Sequence, residues 1–316
     1  MSTPRFLVVF AAHSPYSPDR RMSSLPLIAG LRALGQSAEL QVLAETAEKR
    51  TADVVLFHMN DPTVLPHIEA LRRLRRGTVL AFVCDLFDFD LLARTADLVD
   101  GFIVPTRAMQ LLVANASGRP TLVVPEAIDP IAFPADGVAV PVLPSNRALW
   151  FGLAENYYNS FDRLIGALRR ACPDFAVTFT AMAEQPIYSE LVRETIPFSP
   201  EGFYGAATPF SHALLNHLPF DYRVNTFIKS PNKMITALVR GQVPLASATP
   251  SYREIAGAFG LQPLLFATPA EFADRLETMD AVAQRADYRL NDVRSELLDL
   301  LRPDRLAAQF LSAAGL

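Results

Sequence analysis

The chain has 316 residues, 50% hydrophobic and 20% charged, with a formal net charge of -4. That is enough apolar material for two domains with cores of their own, and it excludes a disordered chain. The acidic balance excludes general nucleic-acid binding, which needs a dominant basic face.

In chain order, the apolar run from Phe6 to Ala12 is far shorter than the roughly 20 residues that span a bilayer, and it predicts a first buried strand rather than a leader or anchor. A helix around Leu25 to Leu34, the strand ELQVL and the strand VVLFH from Val54 follow. A helix over Val64 to Arg76 leads into TVLAFVCD. Next come a helix near Leu91, the strand GFIVP from Gly101, a helix over Met109 to Ala114, and TLVVPEAID. Prolines at 125, 130, 134, 141 and 144 then mark a linker, set at 131–146, between a first domain over 1–130 and a second over 147–316. From Arg147 the alternation restarts with ALWFGL, a helix from Phe161 to Cys172, FAVTFTA, an irregular region and ALLNHLP. A helix after Pro231, the strand VPLAS and helices to the C-terminus complete the chain, and the last helices could cross back to the first domain. Apolar strands alternating with amphipathic helices predict parallel sheets covered on both faces, an α/β fold. Cys84 and Cys172 both lie in apolar surroundings, which predicts free thiols in a reducing compartment and a cytoplasmic protein.

The densest chemistry lies between Pro219 and Ser247. Lys229 and Lys233 flank Ser230, Pro231 and Asn232 where a loop gives way to a helical run that ends at Gly241. A helix start offers unpaired N–H groups and the positive end of the dipole, and Pro231 just inside it loses nothing by lacking a donor. A diphosphate fits there, with both ammonium groups on one face of the helix start neutralising it. A solvated helix face is the bland reading of the same lysines, but two like charges at that end disfavour a helix unless an anion compensates. Gly152, after the strand ALWF, is either an ordinary strand-end turn or the place where backbone approaches the phosphates.

This stretch resembles the donor-binding signature of GT-B glycosyltransferases of the glycosyltransferase 4-like group, where a Lys-Ser pair and a second Lys precede a helix, a Gly and a strand ending in Ala-Ser. Ser251, Tyr252 and Glu254 continue the pattern, whereas Ile228 and Thr236 stand where many relatives carry a pair of glutamates. The segment VPTRAMQLLVANASGRPTLVVPEAIDPIAF, the run ALWFGLAENYYN and the Asp-rich turn AFVCDLFDFD are similar to other parts of the group. The resemblance implies two facing Rossmann-like domains with a cleft between them, acceptor side first and nucleotide-sugar side second. It implies sugar transfer from a nucleotide-diphosphate-sugar donor to an acceptor hydroxyl of a glycan, lipid-linked or protein acceptor. Retention of anomeric configuration is implied too, with no metal and no cofactor beyond the donor itself.

The donor-binding set is then Gly152, Asn156, Lys229, Ser230, Asn232, Lys233 and Thr236, and the catalytic set Asp85, Lys229 and Lys233. Asp85, Asp88 and Asp90 follow a buried strand, where carboxylates cap helices and turn chains but also line the ligand crevice of an open sheet. Asp85 is the one expected to act as general base or to orient the acceptor. His58 and Asn60 end another strand, with a satisfied core histidine the bland reading of His58, and His13 could reach an acceptor. His212 and His217 flank an apolar strand and read as structural or near the base. Tyr157 and Tyr158 suit stacking on a base or sugar, or a core and rim role. Arg72, Arg73, Arg75 and Arg76 complement a helix C-terminus, and would also suit peripheral contact with an anionic inner membrane face. No glycine follows the first strand, so the dinucleotide fingerprint is missing. Two other functions fit the same fold: a nucleotide-sugar epimerase or hydrolase, and a non-catalytic binding or scaffold module.

Overall fold

The computed structural model describes residues 4–10, 20–42, 52–59, 62–73, 77–85, 88–130, 147–200, 202–207, 209–217, 228–281 and 290–316. The predicted linker at 131–146, His13, Asn60, Arg75 and Arg76 lie outside the described residues.

The strands of the first half are β1 (Arg5–Phe10), β2 (Ser37–Val42), β3 (Val54–His58), β4 (Thr78–Phe82), β5 (Gly101–Val104) and β6 (Thr121–Val123). They pair in the order β2-β1-β3-β4-β5-β6, every pair parallel. Central strands covered on both faces need no polar side: all five residues of β3 are buried, whereas in β2 at the edge only Ala38 and Gln41 are. Helix ends follow local chemistry. Thr106 caps Arg107–Ser117 by accepting the Met109 N–H at 3.2 Å, and Gly118 closes it with φ 64.

The second half supplies β7 (Ala148–Phe151), β8 (Phe179–Ala183), β9 (Val192–Pro197), β10 (His212–Leu215), β11 (Val243–Ser247) and β12 (Leu265–Phe266). These also pair in parallel throughout, in the order β12-β11-β10-β7-β8-β9. The core between this sheet and the Ala154–Ala171 helix is aromatic. Tyr157 stacks on Phe161 at 4.5 Å, and Phe161 lies 5.3 Å from Phe179. The predicted irregular region contains β9, whose VRETIP, with no residue fully buried, carries no apolar run to betray it at the sheet edge.

The described residues sort into two units, one within Met1–Asp129, Ile228–Ser230 and Asp299–Leu316, the other within Pro130–Phe227 and Pro231–Leu298. The predicted second domain over 147–316 thus loses its last helix, Pro303–Ala314, to the first unit. The reason is uncovered apolar surface. Phe6, Leu27, Ile28 and Leu31 present a face that Ala307 and Phe310 close, with the Phe6 and Phe310 rings edge to face at 6.2 Å. Gly30 permits the approach, since a Cβ there would fall 1.9 Å from the Pro303 carbonyl oxygen.

Candidate functional site

In open parallel sheets ligands bind beyond the carboxyl ends of the strands, at the point where successive strands begin to add on the opposite side. In the second unit the chain winds outward through β7, β8 and β9, then returns to place β10 on the other side of β7, which is the dinucleotide-fold strand order. The switch point is therefore β7/β10, and β7 ends at Phe151 and Gly152. In the first unit β2 and β3 flank β1, so the switch point is β1/β3, and β3 ends at His58.

The second unit brings two of the predicted residues together at its switch point. Lys233, on the Asn232–Val239 helix, donates from Nζ to the Phe151 carbonyl at 2.7 Å, and its ammonium lies 5.4 Å from the ring centres of both Trp150 and Phe151. Carbonyl and ring faces orient the cation. Gly152 makes room for it: a Cβ there would lie 2.6 Å from Nζ and 3.2 Å from the Trp150 ring. Gly152→Ala is accordingly expected to displace the Lys233 ammonium and lower nucleoside-diphosphate affinity about tenfold. In a Lys233→Ala background the same change should have little further effect, read by isothermal titration.

Beside Gly152, the start of Ala154–Ala171 has no capping side chain of its own, Leu153 being the N-cap. Both oxygens of Glu184, just past β8, accept the Ala154 N–H at 3.0 Å. The helix extends to Ala154 rather than Phe161 because a carboxylate thirty residues on supplies the cap. Local patterning contains no trace of it. Asn156 is exposed on the first turn of this helix.

The two lysines do not share a helix face. Pro231 is the N-cap rather than the first helical residue, so the helix begins at Asn232 and Lys229 precedes it in non-helical backbone. Lys229 belongs instead with the first unit, its Nζ 3.5 Å from Asp85 Oδ1, the two side chains 28% and 34% exposed. Ser230 is buried, and its Oγ donates to the Glu126 carboxylate. Thr236 is buried within its helix, and Ile228 is buried as well, which accounts for an apolar residue at 228.

Other candidates separate cleanly. Asp88 caps Phe89–Ala96, accepting from the Asp90 and Leu91 N–H groups at 2.8 and 3.0 Å, and Asp90 is exposed in its first turn. Arg72 forks onto Asp100 at 3.0 Å on each arm, a structural tie, while Arg73 stays exposed. Among the described residues no helix is long and apolar enough to cross a membrane. Tyr157 is core, its hydroxyl donating to Ser189 Oγ at 2.6 Å, and Tyr158 is at the rim, accepting from the Tyr188 N–H at 3.1 Å. His212 is buried beside Ser211. His217 and Ser247 form a polar end to β10 and β11, where the His217 N–H donates to Ser247 Oγ at 2.6 Å. Both cysteines are free. Among the described residues no three His, Cys, Asp or Glu side chains are grouped to hold a metal.

His58 is buried, 2.9 Å from Ser24 Oγ, 3.8 Å from Cys84 Sγ and stacked at 4.8 Å on Phe82. Burial lowers its pKa from 6.5 to about 3. The imidazole is neutral in the folded protein at neutral pH, which matches the satisfied core histidine. Because the unfolded chain takes up the proton first, stability is full above pH 6.5 and falls as pH drops through the window toward 3. The expected slope approaches about 1.4 kcal/mol per pH unit from this group. Urea unfolding at pH 7, 5 and 4 should show a shallower acid loss in His58→Gln.

No family model matches the chain, and no curated protein matches it in sequence. Solved structures do match in fold. A sucrose-phosphate synthase from Thermosynechococcus elongatus superposes with a TM-score of 0.66 at 11% identity, over 99% of this chain and 98% of its own. The lipopolysaccharide outer core galactosyltransferase WaaB, in its apo form, gives 0.61 at 10% identity over 98% and 99%. A Listeria monocytogenes protein assigned as a UDP-N-acetylglucosamine 2-epimerase gives 0.53 at 12% identity over 99% and 96%. Two parallel six-stranded sheets with flanking helices are the GT-B fold of these neighbours.

Proposed function

We propose that this protein is a glycosyltransferase that moves a sugar from a nucleotide-diphosphate donor to an acceptor hydroxyl. One observation carries the reading: the Lys233 ammonium sits at the carboxyl end of β7, beside a glycine that leaves it space, at the switch point of a dinucleotide-type sheet. Sugar transfer passes through an oxocarbenium-like state, so the departing diphosphate must be stabilised more than the bound donor. Lys233 and Lys229 would supply that charge, with Gly152, Asn156, Ser230, Asn232 and Thr236 around the donor and Asp85 on the acceptor side. The neighbours' names support the chemistry, two being sugar transferases or synthases and one an enzyme named for a nucleotide sugar. Donor base, sugar and acceptor follow from pocket shape rather than fold. Retention of configuration is the stereochemical outcome the sequence resemblance implies.

A second reading, a non-catalytic module that binds without turnover, is favoured by internal carboxylates. Glu184 takes the helix start beside Gly152, and Asp85 takes Lys229. A thermal-shift screen of UDP, GDP, ADP and dTDP and their sugars tests both, since a ligand at 100 times its Kd adds about 2.7 kcal/mol. Binding with transfer to an acceptor supports the transferase, and an NMR assay of the new glycosidic bond gives its anomer. Binding of a nucleotide sugar without any product supports the module, and a rearranged or hydrolysed sugar nucleotide would replace transfer with epimerase or hydrolase chemistry. No stabilisation by any of them would sink the reading.

A further inference from the structure

The three residues leading into the Lys233 helix are carried with the first unit, and the chain passes to the second only at Pro231. Ile228 and Ser230 are buried at 3% and 7% exposure, while Lys229 between them projects toward Asp85. The group that takes Ser230 is unusual for such a place. Glu126 is a carboxylate only 9% exposed, in the turn after β6, and it accepts the Ser230 hydroxyl.

Burying a carboxylate costs free energy that an apolar side chain would not, and a charge-assisted hydrogen bond offsets that cost without turning it into large net stability. Its yield is directional: the acceptor sets where the hydroxyl, and the peptide bearing it, must lie. The turn that carries Glu126 is itself fixed. The Ala127 N–H donates to the Met22 carbonyl at 2.7 Å, and Asp129 receives both arms of Arg21 at 2.9 and 2.7 Å, with side chains 11% and 12% exposed. A rigid turn, a buried carboxylate and a buried serine therefore form a chain of contacts that ends one residue from Lys229.

We propose that Glu126 is a positioning residue for diphosphate binding, acting through Ser230 to hold the Lys229–Ser230 peptide where the Lys229 ammonium meets the donor. The inference rests on the glycosyltransferase reading, because it presumes that Lys229 binds phosphate. Glu126 touches neither donor nor acceptor in this scheme; removing it frees the peptide and with it the lysine.

The test is isothermal titration with UDP, GDP and ADP, using whichever binds wild type tightest, on the full chain, with circular dichroism and a melting curve for each variant. Glu126→Ala and Ser230→Ala should each weaken binding about tenfold, and together little more than either alone. Glu126→Gln should keep most of the affinity, since its amide oxygen still accepts the serine hydroxyl. In a Lys229→Ala background Glu126→Ala should cost nothing further. A purely structural role would lower the melting temperature and leave this dependence on Lys229 absent. Should Glu126→Ala not fold, Ser230→Ala and Glu126→Gln decide on the same readouts. Lysine-dependent binding that Ser230→Ala and Glu126→Ala leave unchanged, or a loss that persists without Lys229, overturns the inference alone. Binding by none of the three nucleotides, or binding indifferent to Lys229 and Lys233, removes the glycosyltransferase reading and this inference with it.

Discussion

Lys229→Ala/Lys233→Ala is expected to lose nucleoside-diphosphate affinity by about 10²- to 10⁴-fold while the fold survives. Each charge-assisted bond to phosphate contributes about 1.5–3 kcal/mol, and two of them multiply to that range. Neither side chain belongs to the buried core, so the melting temperature should change little. Each single variant should account for part of that loss, since Lys229 must leave Asp85, 3.5 Å away, and Lys233 must leave the Phe151 carbonyl, 2.7 Å away, to bind phosphate. Wild-type affinity in the double variant would remove the phosphate-grip reading altogether.

The different surroundings of the two lysines could not be seen in their spacing. Periodicity captured what depends on local composition. The buried strands Arg5–Phe10, Val54–His58 and Val243–Ser247 are apolar runs, and the helix after Pro231 is an apolar run ended by Gly241. Both sheets follow from that alternation because parallel strands must be covered on each face. What escaped depends on residues distant in the chain. Glu184 lengthens a helix that begins thirty positions earlier. Lys229 reads as a helix residue until Pro231 is placed at the cap and Asp85 is brought beside it from the end of β4. Glu126 carries no signal of its own in a turn of prolines and small residues, since its significance lies in Ser230, more than a hundred residues on.

Asp85→Asn is expected to lower turnover by roughly 10²-fold if the carboxylate handles the acceptor proton, with size and hydrogen-bonding capacity preserved. Its position past a buried central strand motivates the role. Its pairing with Lys229 adds a second effect on binding, because the amide would no longer hold back an ammonium that must leave Asp85 to bind phosphate. Magnitude separates the two. A pair this exposed, with side chains 34% and 28% accessible, is worth about 0–1 kcal/mol, so releasing the lysine should shift nucleoside-diphosphate Kd by no more than about fivefold. A hundredfold fall in kcat with Kd within that range assigns proton handling to Asp85; a Kd that weakens as far as kcat falls means that Asp85 supports donor binding rather than the proton. If turnover stays near normal, Asp85 is only the partner of Lys229. His58 is then a poor replacement as base, since it is buried against Ser24 and a pKa lowered to about 3 makes it too weak to take a hydroxyl proton well at neutral pH.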